Sequence, residues 1–277
     1  MANIIRSAKS GSRWSTNDLL AYNITIQTQS VVDFFGHKLC PIDHLDPDLL
    51  SSCDPSTFPT EISMGTCRFL KYLYMISRPN AAYSPLDDFA MSVLEVTDFH
   101  RHIDTVLIPR YDLPLTICGE INRKATLDIC LVSDQLMPMI LLLVRRDKPA
   151  LGSSGPGPSV IAGAIATFQY NNRSRAKMGL PTLDMMTIPC ITVEGTRPLF
   201  YKVPVTQNLS DCVATGQFPK QQTVVTRCSP PAPPAYEGME SPKYRHTALR
   251  YYDAFRDLAE YCWAPFLTGC KGRWSCN

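Results

Sequence analysis

The chain has 277 residues, 45% of them apolar, and a formal net charge of +2. That suits a globular protein with a sizeable core, in one large domain or two small ones. No apolar run reaches the about 18 residues of a membrane-spanning helix, which excludes that class, while a charge so near zero neither demands nor forbids a nucleic-acid partner.

There are 11 cysteines and no CxxC pair. The nearest approach to a cluster, Cys262, Cys270 and Cys276, lacks zinc-site spacing. Cys118, Cys130 and Cys190 lie in apolar runs and read as small core residues. The opening MANIIRSAKSGSRW has no apolar signal core. The expectation is an intracellular protein, in cytoplasm or nucleus, with reduced thiols and no membrane partner.

In chain order, residues 1–80 read as an extension of helix and loop. Val31–Phe35 is a short apolar run, and 39–59 is rich in Pro, Asp and Ser. Cys67, Leu70, Leu73 and Tyr74 recur at helical spacing within 62–75. Residues 81–228 carry the α/β core. Ser84 and Pro85 open a helix as N-cap and first residue, with Asp87 and Asp88 at the positive end of its dipole. One stripe of this helix holds Asp88, Glu95 and Asp98. Short strands are expected at 105–108 and 113–118, then a polar turn over 120–124.

The stretch from Lys124 to Lys148, KATLDICLVSDQLMPMILLLVRRDK, reads as two strands with a tight connection. In 126–132, Leu127, Ile129 and Leu131 alternate with Asp128, Cys130 and Val132. Residues 133–138 supply turn chemistry. The apolar run Met139–Val144 suits a strand buried on both faces and ends in Arg145, Arg146, Asp147 and Lys148. A hairpin centred near Met137 sets Asp128 opposite the residues just before or at Arg146.

A turn-rich loop at 151–158 precedes a helix over 159–177, with Gln169 beside its apolar stripe. Strands at 186–193 and 198–205 flank the turn Glu194-Gly195-Thr196-Arg197. Residues 229–277 comprise a proline-rich segment, SPPAPPA, and a last helix over 243–261 that packs on the core. His100 and His102 read as surface residues rather than ligands, and Trp263, Trp274, Tyr251 and Tyr252 as packing.

The order helix, three strands, helix, strand, with Asp128 in one long strand and charges ending the next, resembles the PD-(D/E)XK nuclease superfamily, the restriction-endonuclease-like fold. The segments PLTICGEINRKATLDICLV, MILLLVRRDK, AIATFQYNN and TIPCITVEGTRPLFYKVPVT are similar to those of fungal proteins associated with that superfamily. The resemblance covers about Ser84 to Thr206. It implies a mixed central sheet flanked by helices in an αβββαβ core, and magnesium-dependent hydrolysis of DNA or RNA phosphodiesters. Carried over, Asp128 matches the metal-binding aspartate and Lys148 the catalytic lysine. Glu95 is the choice for the helix acid that shares the metal, with Asp88 and Asp98 as competitors. Gln169 resembles the helix glutamine that some members place beside the site, but Arg173 stands where a tyrosine often follows.

One departure matters most. The acid of the acid-x-Lys motif is Arg146 here, and Asp147 replaces it only through a bulge that turns the strand by one residue. A guanidinium repels a metal ion and does not deprotonate to become a ligand. Arg146 is therefore expected to pair with Asp128 in the metal's place, so that magnesium binds weakly. Arg145 and Arg146, with Lys148, form a phosphate-attracting rim. Three readings stay open: a nuclease, a non-catalytic protein on the same fold that binds a protein or a nucleic-acid end, and a charged strand end that is merely solvated.

Overall fold

A computed structural model describes residues 6–78, 85–134, 138–146, 157–231 and 237–267, with Arg146 described in its backbone alone. The elements in chain order are α1 (Thr16–Ala21), β1 (Ile24–Thr28), α2 (Val31–Phe35), α3 (Met64–Ser77), α4 (Pro85–Val96), β2 (Thr105–Ile117), β3 (Glu120–Ser133), β4 (Met139–Arg146), α5 (Gly157–Lys177), β5 (Met185–Glu194), β6 (Arg197–Thr206), α6 (Gln207–Thr215), β7 (Thr223–Cys228) and α7 (Pro242–Trp263). The fold is α/β, a mixed sheet flanked by helices. Among the described residues the sheet has seven strands in the order β1-β7-β6-β5-β4-β3-β2.

Hydrophobic pattern explains the centre. Met139 to Val144 are all buried, as a run that alternates with nothing polar requires. β2, β3 and β4 form an antiparallel meander. α5 then crosses over, and β5 pairs parallel to β4. α5 is buried along most of its length because it lies directly on the sheet. Its small residues permit the approach: a Cβ on Gly163 would sit 3.1 Å from a Leu127 methyl. α7 packs on β5 and β6, where Phe200 stacks against Tyr251 and meets Tyr252 edge-on. Tyr251, Tyr252 and Trp263 are thus core, as their apolar bodies predict. Trp274 lies outside the described residues.

The structure departs from the sequence reading in several places. The strands expected at 105–108 and 113–118 are one strand, β2, which passes through Arg110 in the left-handed region at φ 53°. The polar stretch 120–124 is strand, not turn. The chain reverses at Cys118 and Gly119, at φ 50° and 80°, the pair of left-handed residues that a two-residue hairpin needs. A cysteine in the first position hides that turn from composition. Finally, the first eighty residues are not all peripheral: β1 pairs in parallel with β7 and extends the main sheet. β1 has two isoleucines in five residues, too short a pattern to read as a strand.

α3, α5 and α7 each fall within two residues of their expected ranges at either end, while α6 and β7 have no counterpart in the sequence reading. Ser63 caps α3 by accepting from the Thr66 N–H. Ser84, the expected cap of α4, lies outside the described residues. The nine described cysteines are free. Cys130 and Cys190 are buried as expected, and burial pushes the Cys130 thiol up to about 12. No helix among the described residues is long and apolar enough to cross a membrane.

Candidate functional site at the Asp128 edge

Asp128 is half-buried near the middle of β3, a strand otherwise buried from Leu127 to Ser133. Its neighbours follow from register. On one side, Pro109 pairs with Ile129 and Tyr111 with Leu127, so Arg110 lies across from Asp128. On the other, Ile129 pairs with Val144, and the same register continued by one residue sets Arg145 across from it. The aspartate therefore sits between two arginine positions, one on each adjoining strand. The Arg145 guanidinium donates through Nη1 to the Thr126 carbonyl, closing the end of the β3–β4 ladder.

A second carboxylate lies two positions along. Asp112 pairs with Thr126, accepts from the Thr126 hydroxyl at 2.7 Å, and accepts from Lys124 Nζ at 3.2 Å. The Thr126 and Lys124 hydrogen bonds hold the Asp112 carboxyl below the usual carboxylate range. Sequence reasoning passed over both Arg110 and Asp112. The signal was available only through pairing, since it needs the true position of the β2–β3 turn.

The other expected site residues have different surroundings. Glu95 on α4 turns its carboxylate to Arg68 on α3, 3.4 Å away. Asp88 is exposed in the first turn of α4, and Asp98 is exposed just past its end. Gln169 is buried and serves the backbone: its Oε1 accepts from the Thr116 N–H at 2.9 Å, and its Nε2 donates to the Thr116 carbonyl at 3.1 Å. That seals an edge position of β2. Arg173, one turn on, donates to the Pro114 carbonyl of the same edge. Asn171 grips Ile140 of β4 through the same two-way pattern at 3.0 and 2.9 Å, and Asn172 grips Leu183 at 2.8 and 3.0 Å. The amides of α5 are thus clamps on the sheet and its approach, and the resemblance had singled out one of them.

Asp147 and Lys148 lie outside the described residues, as does the side chain of Arg146, whose backbone pairs with Val193. The expected meetings of Asp128 with Arg146 and Lys148 fall there too. The described residues do not fit a magnesium ion. Hard cations want several carboxylate oxygens, yet Asp128 has an arginine position on either side and Glu95 faces Arg68. Among the described residues no three His, Cys, Asp or Glu groups gather closely enough to hold a metal.

His102 belongs to a structural cluster rather than an open surface. Its Nε2 lies 2.8 Å from Glu260 Oε1, and its ring meets Trp263 edge-on at 5.4 Å. Arg101 binds the same carboxylate with two bonds, at 2.6 and 2.5 Å. His100 is exposed, as expected.

No protein-family model matches this chain, and no curated protein matches it.

Proposed function

We propose that the protein binds nucleic acid through phosphate contacts at the Asp128 edge, as a degenerate relative of metal-dependent nucleases. The single observation that carries this reading is the placement of Asp128 between Arg110 and Arg145. The element order α4–β2–β3–β4–α5–β5, with the meander followed by a crossover to a parallel strand, supports the nuclease-like scaffold. The resemblance implies that order.

The chemistry favours binding over hydrolysis. A guanidinium about 4 Å from a divalent ion costs several kcal/mol even at an effective dielectric near 20. The same group is a planar fork suited to two phosphate oxygens. Arginine positions on both strands beside an aspartate therefore favour an anion over a divalent cation at this edge. The resemblance to nucleases makes the phosphodiester backbone the expected anion. A protein ligand at the same edge is the competing outcome.

The test is calorimetric titration of Mg²⁺ and Mn²⁺ into the natural protein and Arg146→Glu. The proposal expects weak binding by the first and tighter binding by the second, because the variant restores a carboxylate at the acid position of the motif. Equal affinities would remove Arg146 from the site and end the degenerate-nuclease reading.

A further inference from the structure

We infer that Arg110 is a phosphate-gripping residue, presented by a backbone kink that persists because the guanidinium is needed at that place. This rests on the nucleic-acid reading of the Asp128 edge and adds a residue that the resemblance does not supply.

The argument starts from the backbone. Four non-glycine residues have positive φ among those described: Asn23, Asp98, Arg110 and Cys118. Asn23 and Asp98 follow the ends of α1 and α4, where left-handed residues end helices, and asparagine and aspartate tolerate that region. Cys118 belongs to the two-residue β2–β3 turn. Arg110 alone of the four lies inside a strand, where neither a cap nor a turn calls for φ 53°. A long side chain there is strained.

The surroundings hold the kink on both sides. Pro109 fixes φ just before it. Tyr111, just after it, is anchored to α5 through its hydroxyl, 3.3 Å from that of Tyr170. Asp112 is held by Thr126 and Lys124. An irregularity of this kind within a ladder re-aims a side chain, and such irregularities gather beside functional sites.

Among the described residues no hydrogen bond or ion pair of this side chain is set against the strain. Arg110 is exposed, and among the described residues it makes no hydrogen bond or ion pair. Glycine would fit the backbone better and lose no hydrogen bond or ion pair among the described residues. What glycine lacks is a positive charge on the strand position across from Asp128, beside which an extended phosphate backbone would pass.

Strain and function then predict effects of opposite sign. Arg110→Gly should raise Tm by roughly 2–4 °C through relief of strain. It should also weaken binding of a labelled oligonucleotide of about 16 nucleotides by about tenfold. The measurement is fluorescence anisotropy with single- and double-stranded DNA and RNA, between about 50 and 200 mM salt. The slope of log affinity against log salt should fall by about 0.7–0.9, one phosphate contact. Arg110→Lys should keep the slope, because it keeps the charge. An unchanged slope in Arg110→Gly, or a lower Tm, overturns the inference while leaving the nucleic-acid reading intact. No binding by the natural protein to any of the four probes overturns both.

Discussion

Two regions of this molecule are rich in arginine, and they use it in opposite ways. Along α7 every arginine that is buried is satisfied. Arg245 is fully buried and donates to the carbonyls of Met239, Leu49, Ser51 and Glu240. Arg256 binds Asp253 and Asp257 and the Thr97 carbonyl, and His44 reaches the same Asp253. Arg245 and Arg256 each join α7 to a segment distant in sequence. At the Asp128 edge, Arg110 is exposed on strained backbone with no partner among the described residues. Arg145 makes one backbone contact and ends a ladder. Location decides the role: a buried guanidinium must be fully hydrogen-bonded and therefore binds structure together. One left exposed on a strand keeps donors for a ligand.

The sharpest contrast is Arg245→Met. It orphans several buried carbonyls at once and should destabilise the fold by about 3 kcal/mol or more in urea titration. Oligonucleotide affinity per folded molecule should not change. A variant as stable as the natural protein would break the distinction between the regions.

Next in size is Asn171→Leu. Losing the two-way clamp on Ile140 leaves a buried N–H and carbonyl of a central strand without partners, at a cost of about 2–3 kcal/mol. Gln169→Leu should cost less, about 1–2 kcal/mol, since β2 is an edge strand and water can reach it. Gln169→Leu also discriminates roles. If the amide is a clamp, binding stays unchanged. A large loss of affinity without loss of stability would return Gln169 to the site, where the resemblance put it.

The smallest expected effect is acid-dependent. The Asp46 carboxylate accepts from Thr66 and Ser63 and from the Asp48 N–H, at 2.5, 2.9 and 2.9 Å. Burial alone would raise its pKa, but these bonds outweigh burial and hold it below the usual 3.8. A depressed folded-state pKa gives stability that is present above the unfolded value and lost as pH falls through the folded one. Asp46→Asn should therefore flatten the acid limb of the stability curve below about pH 4 and leave neutral binding alone. An unchanged acid limb would show that these hydrogen bonds are not made in solution.

Much of the fold was legible because its central elements carry strong periodic signals. β4 is an unbroken apolar run, α5 has a long helical stripe, and Glu194–Arg197 is a hairpin sequence with Gly195 at φ 61°. Weak signals failed where tertiary context decides. β1 and β7 are short, and they gain strand character from pairing with each other. The Cys118–Gly119 turn carries an atypical first residue. That one missed turn had a consequence for the site. With the reversal put at 120–124, Arg110 and Asp112 had no register against Asp128 and Thr126, so two of the four charged positions around the edge were invisible. Glu95 was legible as an acid on α4, but the partner it faces, Arg68, belongs to α3, and no motif spacing links them.

As proposed, the Asp128 edge binds phosphate and does not hydrolyse it. The most direct measurement follows cleavage and anisotropy together, with labelled DNA and RNA in Mg²⁺ and in Mn²⁺, for the natural protein and Asp128→Asn. A carboxylate beside a bound phosphate repels it, so the account predicts no cleavage by either protein and affinity in Asp128→Asn equal to or several-fold higher than in the natural protein. Cleavage by the natural protein that disappears in Asp128→Asn would contradict it and make Asp128 a working metal ligand.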